Sequence, residues 1–175
     1  MDRLRAAVAK NGPILGEPWS DWWDHQLSHL WKWNPDVARE AGTQAVTLGA
    51  NTVAAVLATG GQCRWEGSAK MNVCWGGLVP AARGGTAYGN TFVFVTSPDA
   101  PGPIDPRDYY KNDPVTYANK IEHESNHVKQ WKVFGNLMAG LYLDAEDQAN
   151  RSGLPVGCGN FFEETADLAK GGYVC

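Results

Sequence analysis

A pair of histidines four residues apart limits the folds that this chain can adopt. His123 and His127 flank Glu124 in the pattern H-E-x-x-H. Residues four apart lie on one face of an α-helix, so both imidazoles can reach one metal ion. Zinc favours such nitrogen ligands, and a catalytic zinc ion keeps three protein ligands and one open position. The fold must therefore bring a third ligand onto this helix from a distant part of the chain.

The segment around the motif predicts a helix with one buried face. Asp113-Pro114 predicts its start, and Gly135-Asn136 predicts its end after Phe134. Because an unpaired buried charge is costly, ionisable residues on or beside the buried face need a compensating partner, which a metal ion would supply. The predicted face follows the 3.6-residue period of a helix: Tyr117, Ile121, Glu124, Val128 and Trp131.

A downstream carboxylate is the expected third ligand. One zincin class places a histidine six residues after the motif, but Val133 stands there, which excludes that class. Glu163 and Asp167 are four apart in a helix predicted from Asn160 to Gly171, so they would share one face. We expect Glu163 to bind the metal and Asp167 to accept the ring N–H of a ligand histidine. Glu164 is the main rival for the ligand position.

The remaining segments predict an α+β fold, mainly helical, with a small antiparallel sheet beside the H-E-x-x-H helix. Residues 1–60 are interpreted as a helical N-terminal extension and residues 61–175 as the main domain. His25 and His29 repeat the four-residue spacing, but no glutamate follows His25, so we interpret them as surface residues of a Trp-rich helix. The predicted helices are Ser20–Trp33, Pro35–Ala58 and Leu137–Ala149, and the predicted strands are Gln62–Glu66, Met71–Trp75 and Thr86–Thr96.

The four cysteines allow three disulfide connectivities. We favour the two local pairs, Cys63–Cys74 across a hairpin and Cys158–Cys175 after the last helix. A cysteine zinc site is the rival interpretation, but the chain has no C-x-x-C spacing. Paired cysteines indicate an oxidising compartment.

Charge and hydropathy limit the classes of partner that the chain can bind. The net charge is −4 and no basic block is present, which argues against nucleic acid as a partner. The stretch from Ala45 to Ala58 is too short and too polar to span a bilayer. Residues 1–10 lack the apolar run of a signal peptide, so we expect a domain cut from a longer exported protein.

Several short motifs between residues 61 and 175 resemble gluzincin-type zinc metallopeptidases, and in particular the C-terminal toxin or effector domains of exported bacterial proteins. These are Gly84-Gly85-Thr86 with Gly89-Asn90-Thr91, His123-Glu124 with His127 and Gln130-Trp131, and Asn160-Phe161-Phe162-Glu163 with Ala166 and Gly171-Gly172-Tyr173.

The resemblance implies His123, His127 and Glu163 as zinc ligands and Glu124 as the catalytic base. It also implies that the strand from Tyr88 to Thr96 lies along the cleft and pairs with an extended substrate. The residues considered for steadying the oxyanion are Tyr142 and Tyr173.

We therefore expect a monomeric zinc-dependent hydrolase that acts on protein or peptide substrates. The alternative is a binding module with a structural or vestigial zinc ion, in which Asp144, Asp147 or Glu164 supplies a fourth ligand. A metal-free interaction domain that uses the Trp-rich helix is a further possibility.

Overall fold

A long helix begins the described part of the fold. The computed structural model describes residues 35–82, 84–96 and 103–175. The chain divides into two compact units, residues 1–38 and 39–175. The predicted helix at 20–33, with His25 and His29, lies outside the described residues, and the extension proposed for residues 1–60 stays a prediction.

Helix α1, Pro35–Ala58, confirms the predicted bounds, with proline at its first position. Its buried positions recur every three or four residues and carry small or β-branched side chains, which lets another segment approach closely. These positions are Ala41, Ala45, Gly49, Thr52 and Val56.

A four-stranded sheet follows, with strand order β1-β2-β4-β3. Strands β1 (Gln62–Glu66) and β2 (Met71–Trp75) form the predicted hairpin. Strands β3 (Thr86–Tyr88) and β4 (Thr91–Phe94) replace the single strand predicted over this segment. The chain turns between them because Gly89 adopts a φ of 60°. The sheet is mixed rather than wholly antiparallel, since β2 and β4 run parallel.

Five helices complete the described residues. Helix α3 ends where predicted, and Asp113 caps its start by accepting a hydrogen bond from the Thr116 N–H. The single helix predicted over residues 160–171 is wrong: it breaks at Asp167, whose φ of 75° no helix accommodates. The helices are α2 (Pro106–Tyr109), α3 (Pro114–Phe134), α4 (Leu137–Arg151), α5 (Phe161–Thr165) and α6 (Leu168–Gly171).

The main core lies between the sheet and α3. Ile121 and Val128 of α3 meet a cluster of buried sheet residues, namely Met71, Val73, Trp75, Phe92 and Phe94. This arrangement confirms the α+β class and fixes the face of α3 that turns toward the sheet.

A partly buried polar network anchors the first turns of α3 to the hairpin. The Glu66 carboxylate accepts hydrogen bonds from Ser68, Arg107 and Tyr117. Burial raises the pKa of Glu66, but these donors outweigh it and hold the pKa below its usual range. Arg64 donates to the Tyr117 hydroxyl at 2.6 Å and joins the same network.

Both predicted disulfides are present. Cys63–Cys74 joins directly opposed residues of β1 and β2, and Cys158–Cys175 closes a segment with a sequence separation of 17. Among the residues that the structure describes, none of the helices is long and apolar enough to cross a membrane.

Gly89 provides a test of how closely the β3–β4 turn approaches α1. A Cβ atom at this residue would lie 2.0 Å from the Ala45 carbonyl oxygen, and the backbone φ is already positive. We expect Gly89→Ala to lower the free energy of unfolding by about 2 kcal/mol or more.

Gly42→Ala is the matched control, because Gly42 lies within α1 with no atom within 4 Å of an added Cβ. That variant should gain roughly 0.5–1 kcal/mol through helix propensity. Urea denaturation of both variants measures the difference, and equal effects would contradict the predicted close approach.

Candidate metal centre

Two buried imidazoles meet on the side of α3 opposite Ile121 and Val128. His123 and His127 are 1% and 7% exposed, and their Nε2 atoms lie 3.1 Å apart. Their proximity follows from the four-residue helical spacing, which stacks the two side chains on one face. Both rings therefore present a nitrogen to the same point.

Helix α5 brings a carboxylate to that point. The Oε2 atom of Glu163 lies 3.1 Å from Nε2 of His123 and 3.4 Å from Nε2 of His127. Asn160 caps α5 by accepting a hydrogen bond from the Phe162 N–H. Its amide also donates to Glu146 on α4, which holds the start of α5 in place.

The three side chains form a group able to hold a metal ion. All three are buried, and Oε2 of Glu163 accepts no hydrogen bond although it is shielded from solvent. A buried carboxylate oxygen without a donor is costly, and a cation between the three donor atoms would remove that cost. The residues present therefore fit a bound metal ion.

The outward-facing nitrogen of each imidazole also has a partner. Nδ1 of His123 donates to the main-chain oxygen of Asp167 at 3.0 Å. Nδ1 of His127 donates to Oε1 of Gln130 at 2.8 Å, and the Gln130 amide donates to Phe162 O and Thr165 Oγ1. These contacts place the proton on Nδ1 and leave the Nε2 lone pairs for an ion.

Asp167 contacts His123 through a different atom from the one predicted. We expected its carboxylate to accept the ring N–H, on the assumption that Asp167 and Glu163 share a helical face. Because the helix breaks there, the main-chain carbonyl makes the contact and the carboxylate accepts from the Lys170 N–H instead. Helix α6 then passes so close to His123 that a Cβ atom at Gly171 would lie 2.6 Å from the ring.

Tyr142 orients the carboxylate. Its hydroxyl donates to Oε1 of Glu163 at 2.5 Å, which leaves Oε2 facing the imidazoles. Burial raises the pKa of Glu163, but the adjacent His123 and His127 imidazoles and the Tyr142 hydroxyl outweigh it and hold the pKa well below its usual range. Burial and the charge of Glu163 together raise the pKa of Tyr142 and Tyr173, so both phenols keep their protons.

Glu124 lies beside the ligand group without joining it. Its side chain is 3% exposed, and its Oε1 lies 3.2 Å from Nζ of Lys120. Both residues line a cavity of about 360 Å³ that is also bordered by His123, His127 and Glu163. A carboxylate in this place can exchange a proton with a molecule bound in the cavity.

The sheet borders the same cavity through β3. Because β4 lies between β2 and β3, both of its edges are paired, so within the predicted strand Tyr88–Thr96 the residues of β4 have no free edge for a substrate. Strand β3 lies at the edge of the sheet, but the Trp131 indole already donates to the Ala87 oxygen at 2.9 Å. A substrate strand would therefore find one fewer free acceptor along β3.

The rival ligands lie elsewhere. Within residues 35–82, 84–96 and 103–175, the group that includes the two histidines contains neither Glu164 nor Asp144. Asp147 pairs with Arg151 at 2.7 Å on the exposed side of α4. The described residues thus supply three ligands and no fourth.

Sequence reasoning missed the roles of three residues on α3. The signals were present, because Gln130 follows His127 by three positions and Lys120 precedes Glu124 by four. The contact of Trp131 with Ala87 had no such signal, since it joins residues that are distant in sequence.

Comparisons of the chain with protein-family models, curated proteins and solved structures found no match.

Tyr142 allows the carboxylate arrangement to be tested. Removing its hydroxyl in Tyr142→Phe should free Glu163 to rotate and weaken metal binding about 10-fold. Competition with a chromophoric chelator measures the affinity, with Tyr109→Phe as a conservative control away from the site. An unchanged affinity in Tyr142→Phe would show that the hydroxyl does not orient the ligand.

Proposed function

We propose that the chain binds one zinc ion through His123, His127 and Glu163 and hydrolyses peptide bonds. The observation that carries this proposal is the convergence of three buried donor atoms beside a second acidic group, Glu124, that stays free of the cluster. The cluster borders a cavity large enough for part of a substrate.

The donor set favours zinc over harder cations. Calcium and magnesium prefer oxygen ligands, whereas two imidazoles with one carboxylate form a common catalytic zinc site. A tetrahedral zinc ion would separate its donor atoms by roughly 3.3 Å, given metal–ligand distances of about 2.0–2.1 Å. The observed separations of 3.1, 3.1 and 3.4 Å support that geometry.

The number of ligands supports catalysis. A structural zinc ion fills all four positions with protein ligands, whereas a catalytic one leaves a position open. The described residues offer three donors, and the cavity borders the remaining side. This argues against the alternative of a binding module with a structural zinc ion.

Each polar side chain has a role in the proposed reaction. Zinc, when bound, lowers the pKa of a water molecule to about 7 and polarises the scissile carbonyl group. Glu124 takes the proton from the attacking water and passes it to the leaving amine. Tyr173 keeps its proton and lines the cavity, so it is the proposed donor to the carbonyl oxygen, because Tyr142 already donates to Glu163.

The setting of the reaction is part of the proposal. Two disulfides are compatible with an extracellular location. Together with the resemblance to gluzincin-type toxin and effector domains, they support an exported protein that cleaves a protein or peptide substrate.

Glu124 is the first test. Glu124→Gln keeps the size of the side chain but removes the base, so turnover should fall about 100-fold or more while zinc content stays the same. Zinc is measured by elemental analysis and turnover with fluorescent casein and a fluorogenic peptide mixture. Glu122→Gln is the control, because Glu122 is next to the motif but its side chain is exposed. Full turnover in Glu124→Gln would reject the proposed base.

The third ligand is tested separately. Glu163→Ala should lose most of the bound zinc after dialysis, because only two imidazoles remain. Glu164→Ala should retain it, since Glu164 is not part of the ligand group. Elemental analysis of both variants decides between them, and equal zinc content would place the third ligand elsewhere.

A further inference from the structure

Lys120 lines the cavity but has no role in the proposed reaction. It lies on α3, one helical turn before His123 and Glu124, and its side chain is only 14% exposed. Its ammonium group borders the cavity beside Glu124. Lysine seldom lies this deep without an anionic partner, and Glu124 is the partner that the structure shows.

The rest of the cavity makes this ammonium group distinctive. Among the described residues that line the cavity, Lys120 is the only lysine or arginine. Much of the remaining wall is apolar and carries no charge that could bind an anionic group. These apolar residues are Ala82, Ala87, Met138, Ala139 and Leu143.

The ammonium group of Lys120 can contact a second anion. It is paired with the Glu124 carboxylate at 3.2 Å. It has three N–H donors, so it can bind a carboxylate of the substrate while it keeps this contact.

There is also room for such a carboxylate. A Cβ atom at Gly84 would lie 3.6 Å from Nζ of Lys120, so the glycine leaves this approach without a side chain. With a divalent ion bound, the charges of Glu124, Glu163 and Lys120 leave the site with a net positive charge. An anionic substrate group would therefore be attracted to it.

We propose that Lys120 is a specificity-determining residue that binds a carboxylate of the substrate close to the scissile bond. The carboxylate belongs either to an aspartate or glutamate side chain or to the terminal residue of a peptide. This inference rests on the proposed peptidase function.

Matched peptides test the preference and distinguish the two sources. One pair differs only by glutamate or glutamine beside the scissile bond, and a second pair ends in a free acid or an amide. We expect the zinc-loaded protein to cleave the acidic member of one pair with a kcat/KM about 10- to 100-fold higher. The pair that shows the difference identifies the source of the carboxylate.

Variants of Lys120 assign that preference to its charge. Lys120→Met should abolish the difference between acidic and neutral peptides, and Lys120→Glu should reverse it in favour of lysine-containing peptides. Because the readout is a ratio, a general loss of turnover through the altered contact with Glu124 does not obscure it. Lys129→Met, on the same helix but hydrogen-bonded to Asn126 instead, should keep the wild-type ratio.

A binding measurement separates this inference from the proposed function. Two peptide hydroxamates, one with a carboxylate and one with an amide, are titrated calorimetrically into zinc-loaded wild type and Lys120→Met. Tighter binding of the carboxylate by wild type alone supports the inference even if no peptide is cleaved, in which case the peptidase proposal fails by itself. Equal carboxylate preference in both proteins, or none in wild type, overturns the inference.

Discussion

The meeting of one carboxylate with two imidazoles governs the arrangement of the second half of the chain. His123 and His127 come from a helix whose opposite side is held by the sheet, whereas Glu163 comes from a helix of five residues. So short a helix has little stability of its own. Gln130 joins the two parts, because its amide contacts His127 on one side and Phe162 and Thr165 on the other. Ligand geometry and helix docking are thus set by the same hydrogen bonds.

The cost of burying the Glu163 carboxylate explains why polar side chains surround it. A carboxylate removed from water needs compensation, and Glu163 has the Tyr142 hydroxyl on one oxygen and the imidazoles on the other. Burial lowers the pKa of His127, but the adjacent Glu163 carboxylate and the charge of Glu124 raise it by more. A proton and a metal ion would then compete for the same nitrogen, so the affinity of this candidate centre for a metal should fall as the pH is lowered.

The parts of the site that depend on local spacing could be predicted from the sequence, and the parts that depend on backbone reversals could not. The histidine pair and the bounds of α3 follow from helical period and capping, and Glu163 follows from the chemistry of a third ligand. The predictions of one unbroken strand and of one unbroken last helix were wrong, because Gly89 and Asp167 adopt positive φ values. A glycine followed by asparagine is typical of a turn, but no sequence pattern indicated that Asp167 adopts the left-handed conformation.

The disulfide between Cys158 and Cys175 stabilises only one of the two parts of the centre. Its covalent loop encloses α5, α6 and Tyr173, and therefore the carboxylate but neither imidazole. The nitrogen half rests on a helix of 21 residues that is buried against the sheet, and it needs no cross-link. The oxygen half lies on two short helices whose unfolded freedom the cross-link restricts. Reduction of this disulfide would therefore loosen the segment that carries Glu163 and leave the helix that carries His123 and His127 unaffected.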